Sequence, residues 1–115
     1  MFPVVAVADR KHALQGKLSV ERRRGRWWSI KTAWFARPRY GDPFLIRGDR
    51  LDGPGVVRFG VGPSAPMIAV RGGTLNGNNG FRSVPGATYV KRGGCYSWQV
   101  DGRGFSYRIV FKAVT

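Results

Sequence analysis

The chain has one histidine and one cysteine in 115 residues. A single cysteine, Cys95, excludes an internal disulfide and any zinc site built from several thiolates. A lone cysteine in a strand reads as a small buried hydrophobe. The single histidine, His12, leaves nucleophilic catalysis short of a base. It sits beside Lys11, which disfavours its charged form, and only Asp9 is near enough in sequence to orient it. Acids are scarce too, six against twenty bases. Only Asp49 and Asp52 lie close together, with Arg47 and Arg50 around them. A catalytic acid and base or a calcium site would need such a pair. Asp bonding its own backbone in a tight loop accounts for both residues more simply. No Walker A sequence, no GxGxxG opening a helix and no HExxH occurs. These absences argue against an enzyme, and no catalytic residue, metal or cofactor is assigned.

No apolar run approaches the roughly 18 residues that a membrane-spanning helix needs. Met1–Ala8 is apolar, but it is short and has no basic segment before it. It reads as a strand, not a signal peptide, so an exported form would carry its signal upstream. No repeat with a period of 20–50 residues and no long linker interrupts the chain, which reads as one domain, 1–115.

What is abundant is glycine, with 17 residues, and there are seven prolines. Both break helix interiors, and both suit short strands joined by tight turns. Hydrophobicity has a period of two nearly everywhere, and no helical period is sustained. Strands are expected at Phe2–Ala8, Lys17–Arg22, Arg26–Ala36, Phe44–Arg47, Val56–Val61, Pro66–Arg71, Ala87–Lys91, Cys95–Asp101 and Phe105–Val114. Lys17–Arg22 and Arg26–Ala36 read as a hairpin turning at Arg23–Arg26. Gly48–Gly55 reads as a loop, and Gly72–Gly86 as the least regular stretch. Asp101-Gly102-Arg103-Gly104 is a hairpin signal, because Asp-Gly suits the positive φ of a type I′ turn. Trp98, Tyr107, Ile109 and Phe111 share the core face of that hairpin by parity. Seven to nine short strands with frequent turns predict an all-β chain, an antiparallel β-sandwich first and a barrel second.

The charge is the functional signal. Fifteen arginines and five lysines give +14. Such a surface attracts polyanions: nucleic acid, anionic lipid or an acidic polymer. The densest cluster is Arg22, Arg23, Arg24 and Arg26 beside Trp27 and Trp28. Guanidinium groups grip phosphate or carboxylate in a bidentate fashion, and Trp27 can stack on a base or a sugar. Arg37, Arg39 and Tyr40 form a second cluster of the same kind. The competing account is a solvated basic turn with both tryptophans buried.

Two segments carry a resemblance. Gly41-Asp42-Pro43-Phe44-Leu45-Ile46-Arg47-Gly48-Asp49-Arg50-Leu51-Asp52-Gly53, followed by Val57-Arg58-Phe59-Gly60, resembles the strand–turn–strand of Ig-like bacterial surface modules. Gly94-Cys95-Tyr96-Ser97-Trp98-Gln99-Val100-Asp101-Gly102, with Phe105-Ser106 and Ile109-Val110-Phe111, is similar to the closing hairpin of small exported bacterial proteins and lipoproteins of no established function. The chain departs from that pattern in lacking a lipid-attachment cysteine near its start. The resemblance implies an Ig-like sandwich in the cell envelope or outside the cell, and it supplies no catalytic residues. The expected function is a non-enzymatic binding or assembly module with a protein or polyanion partner. The alternative is a cytosolic nucleic-acid-binding β-domain that uses Arg22–Trp28.

Overall fold

The computed structural model describes residues 4–7, 17–19, 22–37, 40–60, 62–71 and 82–114, and side-chain surroundings for those of residues 25–71 and 87–114. All regular structure among them is β. The strands are β1 (Val4–Val7), β2 (Lys17–Ser19), β3 (Arg22–Arg24), β4 (Trp27–Ala36), β5 (Phe44–Arg50), β6 (Arg58–Gly60), β7 (Met67–Val70), β8 (Arg82–Val90), β9 (Gly94–Gly102) and β10 (Phe105–Val114). They form two five-stranded sheets. In the first, the order is β1-β4-β8-β6, with β3 also paired to β4. In the second it is β2-β10-β9-β5-β7. All pairings are antiparallel except β2 with β10, which is parallel.

Alternation decides what lies between the sheets. On β4, Ile30, Thr32, Trp34 and Ala36 are buried, while Lys31 between them is exposed. On β9, Tyr96, Trp98 and Val100 are buried, and on β10 so are Phe111 and Ala113. Phe44 and Ile46 of β5 and Phe59 of β6 complete the floor and roof of the core. Tyr107 and Ile109 point to the same side but are only half-buried; β2 flanks β10 only at Lys112–Val114.

Trp98 is the central piece. Its ring stacks on Phe111 at 4.0 Å and meets the edge of Trp34 from the facing sheet at 5.4 Å and 89°. Its Nε1–H donates to Thr88 Oγ1 at 3.2 Å, and Thr88 Oγ1 lies 3.1 Å from Thr32 Oγ1. This buried chain satisfies three polar groups that water cannot reach. Trp34 Nε1, by contrast, is buried with no hydrogen-bond partner among the described residues.

Several boundaries differ from the sequence reading. Lys17–Arg22 does not form one strand with β4. Lys17–Ser19 joins the far sheet beside β10, and only Arg22–Arg24 pairs with β4. β5 runs on through Gly48 and Asp49 to Arg50, because Trp98, Ser97 and Tyr96 of β9 continue its ladder. β8 begins at Arg82 and passes through Pro85 and Gly86. Proline lacks an N–H to donate. It fits here because β6 pairs only with Ala87–Tyr89, so among the described residues no strand pairs with that flank of β8 at Pro85. The last hairpin turns at Arg103-Gly104, with Phe105 opposite Gly102, and Gly104 carries the positive φ of 83°. Asp101 and Gly102 belong to the ladder. Cys95 is half-buried, not buried as expected. His12, Arg39 and most of the Gly72–Gly86 stretch lie outside the described residues.

Two substitutions test this core. Trp98→Ala should lower the unfolding free energy by about 3–5 kcal/mol in a denaturant titration. Thr88→Val keeps the shape but removes the acceptor of the Trp98 indole. It should cost about 1–3 kcal/mol, whereas Thr88→Ser, which retains the hydroxyl, should lose less.

Candidate polyanion-binding site

The structure separates the sequence-predicted residues into two groups at opposite ends of β4. The strand is ten residues long, which at the rise of a β-strand is roughly 30 Å. Arg22–Trp27 stands at its start and Arg37 just past its end.

At the start, three of the four arginines are strand residues and not turn residues. Arg22, Arg23 and Arg24 of β3 pair in register with Ser29, Trp28 and Trp27. The turn itself is Gly25-Arg26, with Gly25 at a φ of 57°. Arg26 is exposed, and Trp27 is half-buried. The same end of the sandwich holds the β8–β9 turn. Lys91 of that turn places Nζ 4.9 Å from the centre of the Trp27 ring, within cation–π range. Lys91 and Arg92 are both exposed. The Tyr96 hydroxyl donates to the Arg92 carbonyl at 2.6 Å and fixes the turn on β9. Burial of Tyr96 pushes its hydroxyl above the usual tyrosine range.

Next to this turn lies the β5–β6 loop, held by Arg50. Its guanidinium donates to Asp52 Oδ1 at 3.0 Å, to the Pro54 carbonyl at 3.0 Å and to the Gly93 carbonyl at 3.5 Å. The Asp52 carboxyl is held below its ordinary value, first by the Cys95 backbone N–H and then by Arg50. A side chain at Gly94 would stand 2.9 Å from the Asp52 carboxylate, so only glycine admits this clamp. A cleft of about 610 Å³ opens between loop and turn, lined by Arg50, Asp52, Lys91, Arg92 and Tyr96 among others. Arg50 and Asp52 already satisfy one another here. Among the residues whose side chains are described, the exposed cations at this end are Arg26, Lys91 and Arg92.

The second cluster is built differently. Tyr40 is a structural bolt: its hydroxyl donates to the Pro43 carbonyl at 2.8 Å and accepts from the Arg103 N–H at 3.2 Å. Its ring packs edge-on against Phe105 at 5.2 Å. Arg37 is half-buried, and its carbonyl accepts from the Tyr40 N–H. A cleft of about 730 Å³ lies at this end, over Phe44, Leu45, Ala69 and Val70 with Arg71 and Arg103 beside them. Arg37 is therefore not part of the Arg26–Trp27 site.

Lys91 and Arg92 were not singled out from the sequence. They are only two residues, and their proximity to Trp27 arises from the pairing of β4 with β8. The visible trace of that turn is the Lys-Arg-Gly-Gly run between two strands. Among the described residues no group of three or more His, Cys, Asp and Glu side chains could hold a metal ion. No protein-family model, no curated protein and no solved structure matches the chain.

On the second sheet Asp101 gathers three donors. Asp101 accepts from Ser106 Oγ at 2.6 Å, from Gln99 Nε2 at 3.0 Å and from Arg47 Nη2 at 2.9 Å. These contacts, that of Ser106 foremost, hold its carboxyl below the ordinary range. Asp52 and Asp101 are thus both depressed in the folded state. The stability they add is present above the ordinary carboxylate pKa and is lost as pH falls through their folded values. A variant carrying Asp52→Asn and Asp101→Asn should melt below the parent at pH 7. The two melting temperatures should converge as the pH is lowered from about 4 towards 2.

Proposed function

We propose that the protein is a non-enzymatic binding or assembly module, an Ig-like sandwich that engages polyanions through the Arg22–Trp27 end. The observation that carries this reading is the meeting of two turns, which sets the Lys91 ammonium over the Trp27 ring, with the exposed Arg26 and Arg92 as the chain neighbours of that pair. The described acid nearest to them, Asp52, is bound to Arg50. A cluster of exposed cations beside an aromatic ring suits a phosphate- or carboxylate-bearing polymer.

The Ig-like part of the reading rests on topology. Constant-type Ig domains place strands A, B, E and D in one sheet and C, F and G in the other. Here β1, β4, β8 and β6 follow one another as the first set does, and β5, β9 and β10 as the second. A tyrosine near the start of strand F, bonded to the backbone just upstream, is a further Ig feature that Tyr96 matches. Trp34 and Trp98 meet across the two strands that the disulfide joins in antibody domains. Placement in the cell envelope or outside the cell follows from the resemblance of the closing hairpin to small exported bacterial proteins. A second reading, a cytosolic nucleic-acid-binding β-domain, draws on the Trp27 ring among cations.

The test is binding at low salt to DNA, RNA, a teichoic-type polymer and anionic vesicles. Where several phosphates are engaged, log affinity should fall with log salt by about 0.7–0.9 per phosphate. Replacing Arg23, Arg24 and Arg26 together by Ser should weaken binding and flatten that slope. No binding to any of the four, or a triple variant that binds as the parent does, would overturn the reading.

A further inference from the structure

The first sheet differs from the second in charge. Its described strands carry Arg22, Arg23, Arg24, Lys31, Arg58 and Arg82 and not one Asp or Glu. The four acids among the described residues are Asp49 on β5, Asp101 on β9, and Asp42 and Asp52 just beyond either end of β5. Asp9 and Glu21 lie outside the described residues.

Burial shows which cations face outward from the first sheet. Lys31 lies between buried Ile30 and Thr32 and is exposed. Arg58 precedes the fully buried Phe59 and pairs in register with Tyr89, which in turn pairs with Ser29. Lys91 follows β8 and reaches the Trp27 ring. Tyr89 shares this outer face yet is buried, and its hydroxyl accepts from the Gly62 N–H at 2.6 Å. The 62–65 segment, bonded back to Phe59 through Ala65, therefore reaches onto the face at Tyr89 on the β6 side, and the part of the face it leaves is that of β4 and the end of β8. Lys31 stands four residues along β4 from Trp27, roughly 13 Å, and Arg58 lies two strand spacings from Ser29, roughly 10 Å. An aromatic ring thus stands beside one cation, Lys91, on a β-face that also carries Lys31 and Arg58.

We infer that single-stranded nucleic acid lies across the outer face of the first sheet, with Lys31, Arg58 and Lys91 at its phosphates and Trp27 against a base. The inference rests on the polyanion reading and extends it from the turn to the sheet. Backbone phosphates and unpaired bases use both components of this surface, the cations and the ring. An acidic polymer without bases, or an anionic membrane surface, uses only the cations.

The experiment measures a fluorescent oligo-dT of about 15 nucleotides against inorganic polyphosphate of matched charge and anionic phosphatidylglycerol vesicles, across a salt series. Oligo-dT should bind tightest. A variant with Lys31, Arg58 and Lys91 replaced by Ser should bind at least tenfold more weakly, and its salt slope should fall by about 2, for three phosphates at about 0.7 each. Lys31→Arg with Lys91→Arg should restore parental binding, and circular dichroism melts should match across the set. Trp27→Ala should weaken oligo-dT more than polyphosphate. If the Ser variant keeps parental affinity and slope while Arg23, Arg24 and Arg26 replacement abolishes binding, the sheet inference fails and the turn reading stands. If polyphosphate or vesicles bind as well as oligo-dT, or Trp27→Ala weakens all ligands alike, the nucleic-acid assignment fails. If no ligand binds, both fail.

Discussion

The contact of Trp98 with Trp34 and Phe111 sets the rest of the molecule in place. Trp98 belongs to the middle strand of the second sheet and Trp34 to a middle strand of the first. Their edge-to-face meeting fixes the separation and relative rotation of the two layers. Aromatic pairs in this arrangement add to the area they bury because the ring edge of one meets the negative face of the other. The indole N–H also forces a polar neighbour into the core, and Thr88 provides it from β8. Since β8 pairs with both β4 and β6, that one acceptor ties three strands of the first sheet to the second. No disulfide assists, and the lone cysteine stands half-exposed at the sheet margin.

The same layering creates the candidate site. β4 and β8 run antiparallel, so the start of one and the end of the other coincide, and Trp27 meets Lys91. Arg50 and Tyr96 then lock the neighbouring loop and turn. The clamp consumes Arg50 and Asp52 and leaves Arg26, Lys91 and Arg92 facing solvent. Rigid turns that hold free cations lose little conformational freedom when an anion arrives.

Parity carried most of what could be read in advance. The alternation in Cys95–Asp101 and Phe105–Val114 was enough to identify two strands and to put Trp98 and Phe111 in one core. Local signals failed where distant partners decide. Pro85-Gly86 looks like a breaker until β4 is set beside it. Gly48-Asp49-Arg50 looks like a loop until β9 is set beside it. Asp-Gly looked like the hairpin centre, yet Gly104 takes that role because the ladder extends through Gly102. Lys17–Ser19 left β4 for a parallel place beside β10, a pairing without any local mark. The cationic end was half legible: Arg26 and Trp27 are neighbours in the chain, whereas Lys91 and Arg92 join them only through strand pairing.

The unequal distribution of acids has a consequence for how the molecule moves before it touches anything. With the described carboxylates gathered on or beside the second sheet, the centre of positive charge is displaced towards the first. Counted over the described residues, charge is then unequal across the thickness of the sandwich as well as net positive. Near a negatively charged chain or surface, the field exerts a torque that turns the cationic face forward. Encounters arrive already oriented, so productive collisions are a larger share of the total. Two copies that approach face to face along their first sheets repel most strongly where each is most positive, which keeps that face open at high concentration.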